Sequence, residues 1–301
     1  MTRSSERLLL TLSVLVFAAA LGFAQEVHLD VPFVPTRFPV VDEMLRMAKV
    51  TKDDVVYDLG CGDGRILVTA AQKFGSRGVG YDIDPERIKE CLENAKKAGV
   101  TDKVKFVLGD LFQADFYEAT VMPMYLLPSV NLKLRPKIFR ELKPGSRVVS
   151  HDFSMENWAP DDHATVTDDD MTHEVYLWIV PANISGAWAW TAGGGNGGTV
   201  ALQFKMAVAQ KYQVPEAKVT INGADAAVTE MKISGDAVTF IAKGKAGAET
   251  IVLTFTGMAS GDQINGTIQG QIGGRPVSFP WKAARTPGTQ ARIDEEPTQI
   301  Y

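Results

Sequence analysis

Cysteine is nearly absent, with two in 301 residues. Cys61 lies in a glycine-rich turn and Cys91 in a predicted helix, so no disulfide framework can be drawn. A basic excess is also missing. The net charge is −5, which removes the general reason to expect nucleic acid, whose binders carry a basic surface. Histidine is scarce as well. His151, His163 and His173, taken with Asp152, Asp161 and Asp162, match no compact metal-ligand spacing. No metal site is expected from them, and they read as solvated loop residues. The run Asp168-Asp169-Asp170 reads the same way. In the glycine-rich turn around Cys61 the spacing is G-x-G-x-G, not the dinucleotide fingerprint G-x-G-x-x-G. The five tryptophans are scattered and read mostly as core.

What the chain has is a globular composition, 45% hydrophobic, and enough length for two domains. Arg3 and Arg7 precede the apolar run Leu8-Leu9-Leu10-Thr11-Leu12-Ser13-Val14-Leu15-Val16-Phe17. Gly22 and Ala24 then stand at −3 and −1 of a cut before Gln25. Residues 1–24 are therefore expected to be a secretory signal peptide. The alternative is an uncut anchor, because the apolar run is close to the lower length for a span. Either way the two arginines favour a cytoplasmic N-terminus and place the rest of the chain outside, periplasmic or secreted. No cysteine stands at the cut to carry a lipid.

The chemistry is concentrated in Val55-Val56-Tyr57-Asp58-Leu59-Gly60-Cys61-Gly62-Asp63-Gly64-Arg65. A buried parallel strand, a tight turn and a helix start follow one another here. Glycine lets the backbone take positive φ and leaves its amides bare for a ligand. The helix start adds unpaired N–H groups. Asp58, two residues before the first glycine, would repel a pyrophosphate but attract an ammonium or a ribose hydroxyl. A second short strand, Gly78-Val79-Gly80-Tyr81-Asp82, ends in an acid about 20 residues on, where a carboxylate reaches ribose hydroxyls. A third, Phe106-Val107-Leu108-Gly109-Asp110, ends in an acid suited to accept from an adenine amino group.

Three strands that each end in an acid, separated by helical stretches, resemble the seven-strand S-adenosylmethionine-dependent methyltransferases over residues 31–181. The Asp58-Leu59-Gly60-Cys61-Gly62-Asp63-Gly64-Arg65 turn, with the segment Tyr125-Leu126-Leu127-Pro128, looks like the small protein-lysine methyltransferases, with Cys61 where a serine usually stands. The resemblance implies an α/β Rossmann-like domain over residues 25–181. It also implies S-adenosyl-L-methionine as cofactor, held by Asp58, Gly60, Gly62, Asp82 and Asp110. The acceptor pocket would lie over the loop after the fourth strand, where Tyr125 would orient an amine. The segment around Val31-Pro32-Phe33-Val34-Pro35-Thr36, and a helix after it whose start Pro39 shifts, are expected to fold over the cofactor.

Further along, residues 86–98 read as an amphipathic helix stopped by Gly99. Pro123 is expected to break the fourth strand. Residues 132–142 read as a helix, 147–151 as the fifth strand and 174–180 as the last. From Pro181 the helical periodicity stops. Short strands at 186–191, 199–208, 217–222, 227–233, 237–243, 249–256, 263–269 and 276–284 point to an all-β antiparallel barrel over residues 182–285. Gly186-Ala187-Trp188 and Arg285 resemble the closing signature of lipocalin-like barrels, in which an arginine lies across a first-strand tryptophan. Residues 192–198 read as a flexible loop and 286–301 as a disordered tail.

The expected activity is methyl transfer to an amine such as a protein lysine. Two alternatives remain at this stage. One is a small-molecule methyltransferase whose barrel collects the acceptor. The other is an exported binding or scaffold protein that keeps the fold without turnover, motivated by export away from the cytoplasm where S-adenosylmethionine is made. A membrane partner enters only through the uncut anchor.

Overall fold

The computed structural model describes residues 32–194 and 201–295. The expected signal segment and most of the 192–198 loop lie outside the described residues. Among those described, no helix is long and apolar enough to cross a membrane.

The first half is built on β1 (Val55–Leu59), whose five residues are all buried. A strand buried on both faces belongs at the centre of a parallel sheet. β1 is flanked by β2 (Arg77–Asp82) on one side and β4 (Val121–Met124) on the other. With β3 (Val104–Leu108), β5 (Arg147–His151), β6 (Asp162–Asp168) and β7 (Met171–Ile179), the sheet order is β3-β2-β1-β4-β5-β7-β6. The first five strands run parallel, and β7 and β6 join antiparallel. The strand order reverses between β1 and β4, which opens the crevice where ligands of such sheets bind.

Helices cover the sheet. α1 (Phe38–Met47) buries Val40, Val41, Met44, Leu45 and Met47, with Pro39 in its first turn. Proline is tolerated there because its missing N–H has no partner in the helix anyway. α2 (Arg65–Phe74) is bracketed by Gly64 and Gly75, both left-handed. α3 (Pro85–Ala98) is capped by Asp84 and stopped by Gly99, as its sequence predicts.

Several expectations are corrected here. Pro123 does not break β4. It sits buried inside the strand and pairs with Val149, while the β1 side of the ladder is recorded only at Val56 and Val121. A proline without an N–H is accommodated on the side that asks nothing of it. α4 runs from Pro128 to Glu141, starting earlier than 132, because Pro128 is a first-turn proline rather than a loop residue. The polar stretch read as loop from Asp162 to Asp168 is the edge strand β6, and β7 begins at Met171 rather than 174.

All eight strands of the second half are present. They are β8 (Gly186–Ala192), β9 (Leu202–Lys211), β10 (Val214–Ile221), β11 (Ala224–Ser234), β12 (Ala237–Ala246), β13 (Glu249–Ser260), β14 (Gln263–Ile272) and β15 (Arg275–Arg285). Each pairs antiparallel with its neighbour, and β15 closes on β8. Alternation is strict along β13, where every second side chain from Ile251 to Ala259 is buried. The lumen is filled by rings: Phe240 stacks on Phe255 at 4.3 Å and Trp190 on Phe204 at 5.1 Å, with Trp281 among them. Arg285 lies 4.5 Å over the Trp188 ring, as the closing signature implies. The tail is corrected in part. Residues 286–295 pack on the barrel, with Ile293 buried, its carbonyl accepting from Tyr212 N, and Ala291 N donating to the Ser185 hydroxyl.

Candidate active site

The site grows from the ends of β1 and β2. After Leu59 the chain turns through Gly60, Gly62 and Gly64, all at positive φ. The turn is pinned from below: Gly60 N and Cys61 N both donate to Tyr81 O, at 2.8 and 2.9 Å. Gly62 N donates to Asp82 Oδ2 at 2.9 Å. Asn94, on α3, donates to Asp63 O, and the Cys91 thiol donates to Gly62 O. Cys61 and Cys91 are free thiols, with their sulfurs 3.8 Å apart. A Cβ on Gly62 would collide with the Phe33 ring, and one on Gly60 would come within 3.1 Å of Leu126. Glycine is needed at both positions because Phe33 and Leu126 already lie where a side chain would go.

Asp58, Asp82 and Asp110 stand at or just past the C-terminal ends of three adjacent parallel strands, as predicted. Their environments differ. Asp58 is buried, and burial, reinforced by the charges of Asp82 and Asp63, pushes its carboxyl up to about 8. Burial also raises Asp82, against the opposing N–H groups of Asp84 and Gly62. Asp110 is exposed and caps the short 3-10 turn Leu111–Gln113, accepting from Phe112 N at 2.8 Å. A carboxyl held protonated by burial and by neighbouring carboxylates, beside a glycine bend, is a place that a cation would suit. An ammonium–sulfonium nucleoside fits that donor set. Asp58 would face its cationic end, Gly60 and Gly62 its flat contact with the backbone, Asp82 the ribose hydroxyls and Asp110 the adenine.

The segment before α1 lies over this turn. The Phe33 ring covers Gly62, and the Arg87 guanidinium sits 4.5 Å over that ring. Arg65 Nη1 donates to Thr36 O at 3.0 Å, and Arg37 bridges to Asp168 at 2.8 Å and Asp169 at 3.1 Å. The acidic run is therefore partly an anchor for this segment rather than only a solvated loop.

Tyr125 directly follows β4. Its ring centroid is 3.8 Å from that of His151 and 6.0 Å from that of Phe153. Burial, with the Asp152 charge, raises its phenol, so Tyr125 is a neutral aromatic wall and not a base at neutral pH. His151, the last residue of β5, is buried. Burial outweighs the Asp152 charge and pushes its imidazole down to about 4.

This corrects the reading of the histidines as solvated loop residues. His151 ends β5, as the fifth-strand expectation has it, but is buried; His173 lies in β7, and the antiparallel register brings the two together, 3.0 Å apart between Nε2 and Nδ1. Asp152 joins them, while Asp161 and Asp162 do not. His163 lies apart on the exposed edge strand, paired to Glu174 and stacked on Tyr176. Spacing along the chain could not reveal the pair, because it is made by cross-strand register. A period-2 reading of Met171-Thr172-His173-Glu174-Val175 as strand is the signal that would have found it.

The family described as ANTKMT methyltransferase domain matches residues 58–162. A Saccharolobus islandicus protein known as Protein-lysine N-methyltransferase is 52% identical over 151 residues, which cover 50% of this chain and 94% of that one. A Mus musculus protein known as Adenine nucleotide translocase lysine N-methyltransferase is 32% identical over 133 residues, 44% of this chain but 58% of its own length. A solved structure described as an RNA methyltransferase from Salinibacter ruber in complex with S-adenosyl-L-homocysteine is 57% identical. It covers 48% of this chain and 93% of that one, at a TM-score of 0.46. On the strength of the Saccharolobus relative, matched almost end to end, the α/β half of the chain belongs to the family of S-adenosylmethionine-dependent protein-lysine N-methyltransferases.

Proposed function

We propose that this chain methylates the side-chain amine of a lysine in a protein, and that it does so outside the cytoplasm. The observation that carries the acceptor is the aromatic wall of Tyr125 and Phe153 after β4 and β5, with His151 buried against Tyr125, in a chain 52% identical to a relative known as Protein-lysine N-methyltransferase. A neutral aromatic surface suits an amine whose charge returns on methylation, because ring faces attract alkylammonium cations.

When bound, S-adenosylmethionine supplies a methyl group activated on a sulfonium. The chain's own residues have a positioning task, since an in-line displacement is accelerated mainly by holding the nucleophile collinear with the breaking bond. The incoming amine must be unprotonated, because its lone pair makes the new N–C bond. A free lysine amine has a pKa near ~10.4, so the wall must favour the neutral form. Tyr125, half-buried and neutral, does so through desolvation, since its ring face returns less to an ammonium than the water it displaces.

Export rests on Arg3, Arg7 and the apolar run after them, with the cut before Gln25. It also requires that the methyl donor reach the enzyme. One experiment addresses both parts. Host cells are fractionated, the mature chain is sequenced from its N-terminus, and each fraction is incubated with enzyme and tritium-labelled S-adenosylmethionine. The expected result is a chain starting at Gln25 and label recovered as methyl-lysine in protein. Label confined to extractable small molecules would overturn the acceptor, and a cytoplasmic chain starting at Met1 would overturn the location.

A further inference from the structure

We propose that His151, His173 and Asp152 bind one divalent transition-metal ion, of the zinc or cobalt kind, beside Tyr125. Three side-chain atoms converge there. His151 Nε2 is 3.0 Å from His173 Nδ1 and 3.2 Å from Asp152 Oδ2, and His173 Nδ1 is 3.3 Å from the same oxygen. Donor atoms about 2.1 Å from a shared ion stand ~3.0 Å apart in an octahedral site and ~3.4 Å apart in a tetrahedral one. The triangle has that size on all three edges.

Protons alone satisfy the triangle poorly. The carboxylate brings none, and each ring nitrogen brings at most one. One proton leaves an edge with two lone pairs facing each other. Two protons can both be donated to Asp152 Oδ2, but the ring nitrogens are then left 3.0 Å apart with no hydrogen bond between them. A cation at the centre turns all three lone pairs into ligands.

The surroundings orient the set. Asp152 takes a left-handed backbone (φ 58°) that few non-glycine residues adopt. Its Oδ1 accepts from Glu174 N at 2.9 Å, which leaves Oδ2 aimed at the two imidazoles. Thr36 Oγ1 lies 3.3 Å from His151 Nδ1. A proton donated from Nδ1 to that hydroxyl fixes the tautomer with the Nε2 lone pair facing inward, the usual outer partner of a metal-binding histidine. Two imidazoles and one carboxylate suit zinc, cobalt, nickel or iron rather than magnesium or calcium, which take oxygen ligands. Side-chain exposure is 2% for His151 but 12% for His173 and 29% for Asp152, so the ion would be reached from the Asp152 side. Three protein ligands and an open approach describe a site with room for a further ligand, as in catalytic rather than structural centres.

The test uses the full chain stripped with chelator, and then titrated with cobalt chloride while visible absorption is followed. Zinc is titrated in competition, and bound metal is counted after gel filtration. The expected result is one ion per chain, with cobalt bands that zinc abolishes. His173→Gln should lower affinity at least ~10-fold, the scale at which even outer partners of a metal matter. S-adenosylhomocysteine binding, which uses the other strand ends, checks that the variant is folded. If His173→Gln does not fold, Asp152→Asn takes its place in the same titration. Less than one ion per chain at saturation, or equal affinity in a folded variant, would overturn the site.

Discussion

Asp58 and Asp82 sit about one strand apart, yet their carboxyl groups have different work. The Asp58 carboxyl, pushed up to about 8 by burial and by its acidic neighbours, holds a proton at pH 7 in the free chain. A cationic ligand beside it favours the ionised form, so binding must release that proton. S-adenosylmethionine affinity should therefore rise with pH between 6 and 8 and level off above. Calorimetry in two buffers of different ionisation heat should report close to one proton released at pH 7, and Asp58→Asn should abolish the release. An affinity independent of pH across that window would mean that Asp58 does not meet the cation. The same shift has a sign for stability. Between the ordinary 3.8 and about 8, the folded chain holds one more proton than the unfolded chain. Its unfolding free energy therefore falls as pH rises through that window, and a bound ligand offsets the fall.

Among the elements, barrel closure is the clearest case of one residue deciding a boundary. Besides covering Trp188, Arg285 donates to Asp262 Oδ1 at 2.9 Å and to the carbonyls of Asn183 and Gly261 at 2.7 and 3.1 Å, with a further bond to Ser185 O. Arg285→Ala would strip a cation–π contact and leave the buried Ser185 carbonyl and the half-buried Asn183 carbonyl without this donor, a loss of about 2–4 kcal/mol in denaturant unfolding. Arg285→Lys should recover less than half, since an ammonium cannot reach all of these partners at once. The barrel was legible in the sequence because alternating residues such as Ile251, Leu253 and Phe255 announce a half-buried strand directly. So was the glycine turn, whose residues admit few other uses. β6 was not legible, because Asp162 to Asp168 lies at a sheet edge with little buried on either face. Nor was the His151–His173 pair, which exists only once β7 is laid antiparallel against β5.

At the scale of the molecule, the two halves are joined by Tyr212. From the barrel, its ring packs against Phe139 and Trp158, and its hydroxyl donates to Asn157 Oδ1 at 2.9 Å. Arg135 lies over the same ring, and Gln213 donates to Ala159 O. Tyr212→Phe should cost about 1 kcal/mol for the lost hydrogen bond. Tyr212→Ala should cost about 3–5 kcal/mol and split thermal unfolding into two transitions. A single unshifted transition in Tyr212→Ala would mean that the halves are not coupled there.

Turnover of any acceptor depends on whether acids at three neighbouring strand ends, with a bare glycine bend, hold S-adenosylmethionine. Isothermal titration of the protein with S-adenosylmethionine, repeated on Asp82→Ala, reads this out with no acceptor in hand. One site is expected on the wild type and an affinity at least ~30-fold lower in the variant, consistent with loss of a charge-assisted pair of hydrogen bonds of ~2 kcal/mol or more. No heat with the wild type, or equal binding by a folded Asp82→Ala chain, would mean that these strand ends do not form the cofactor site.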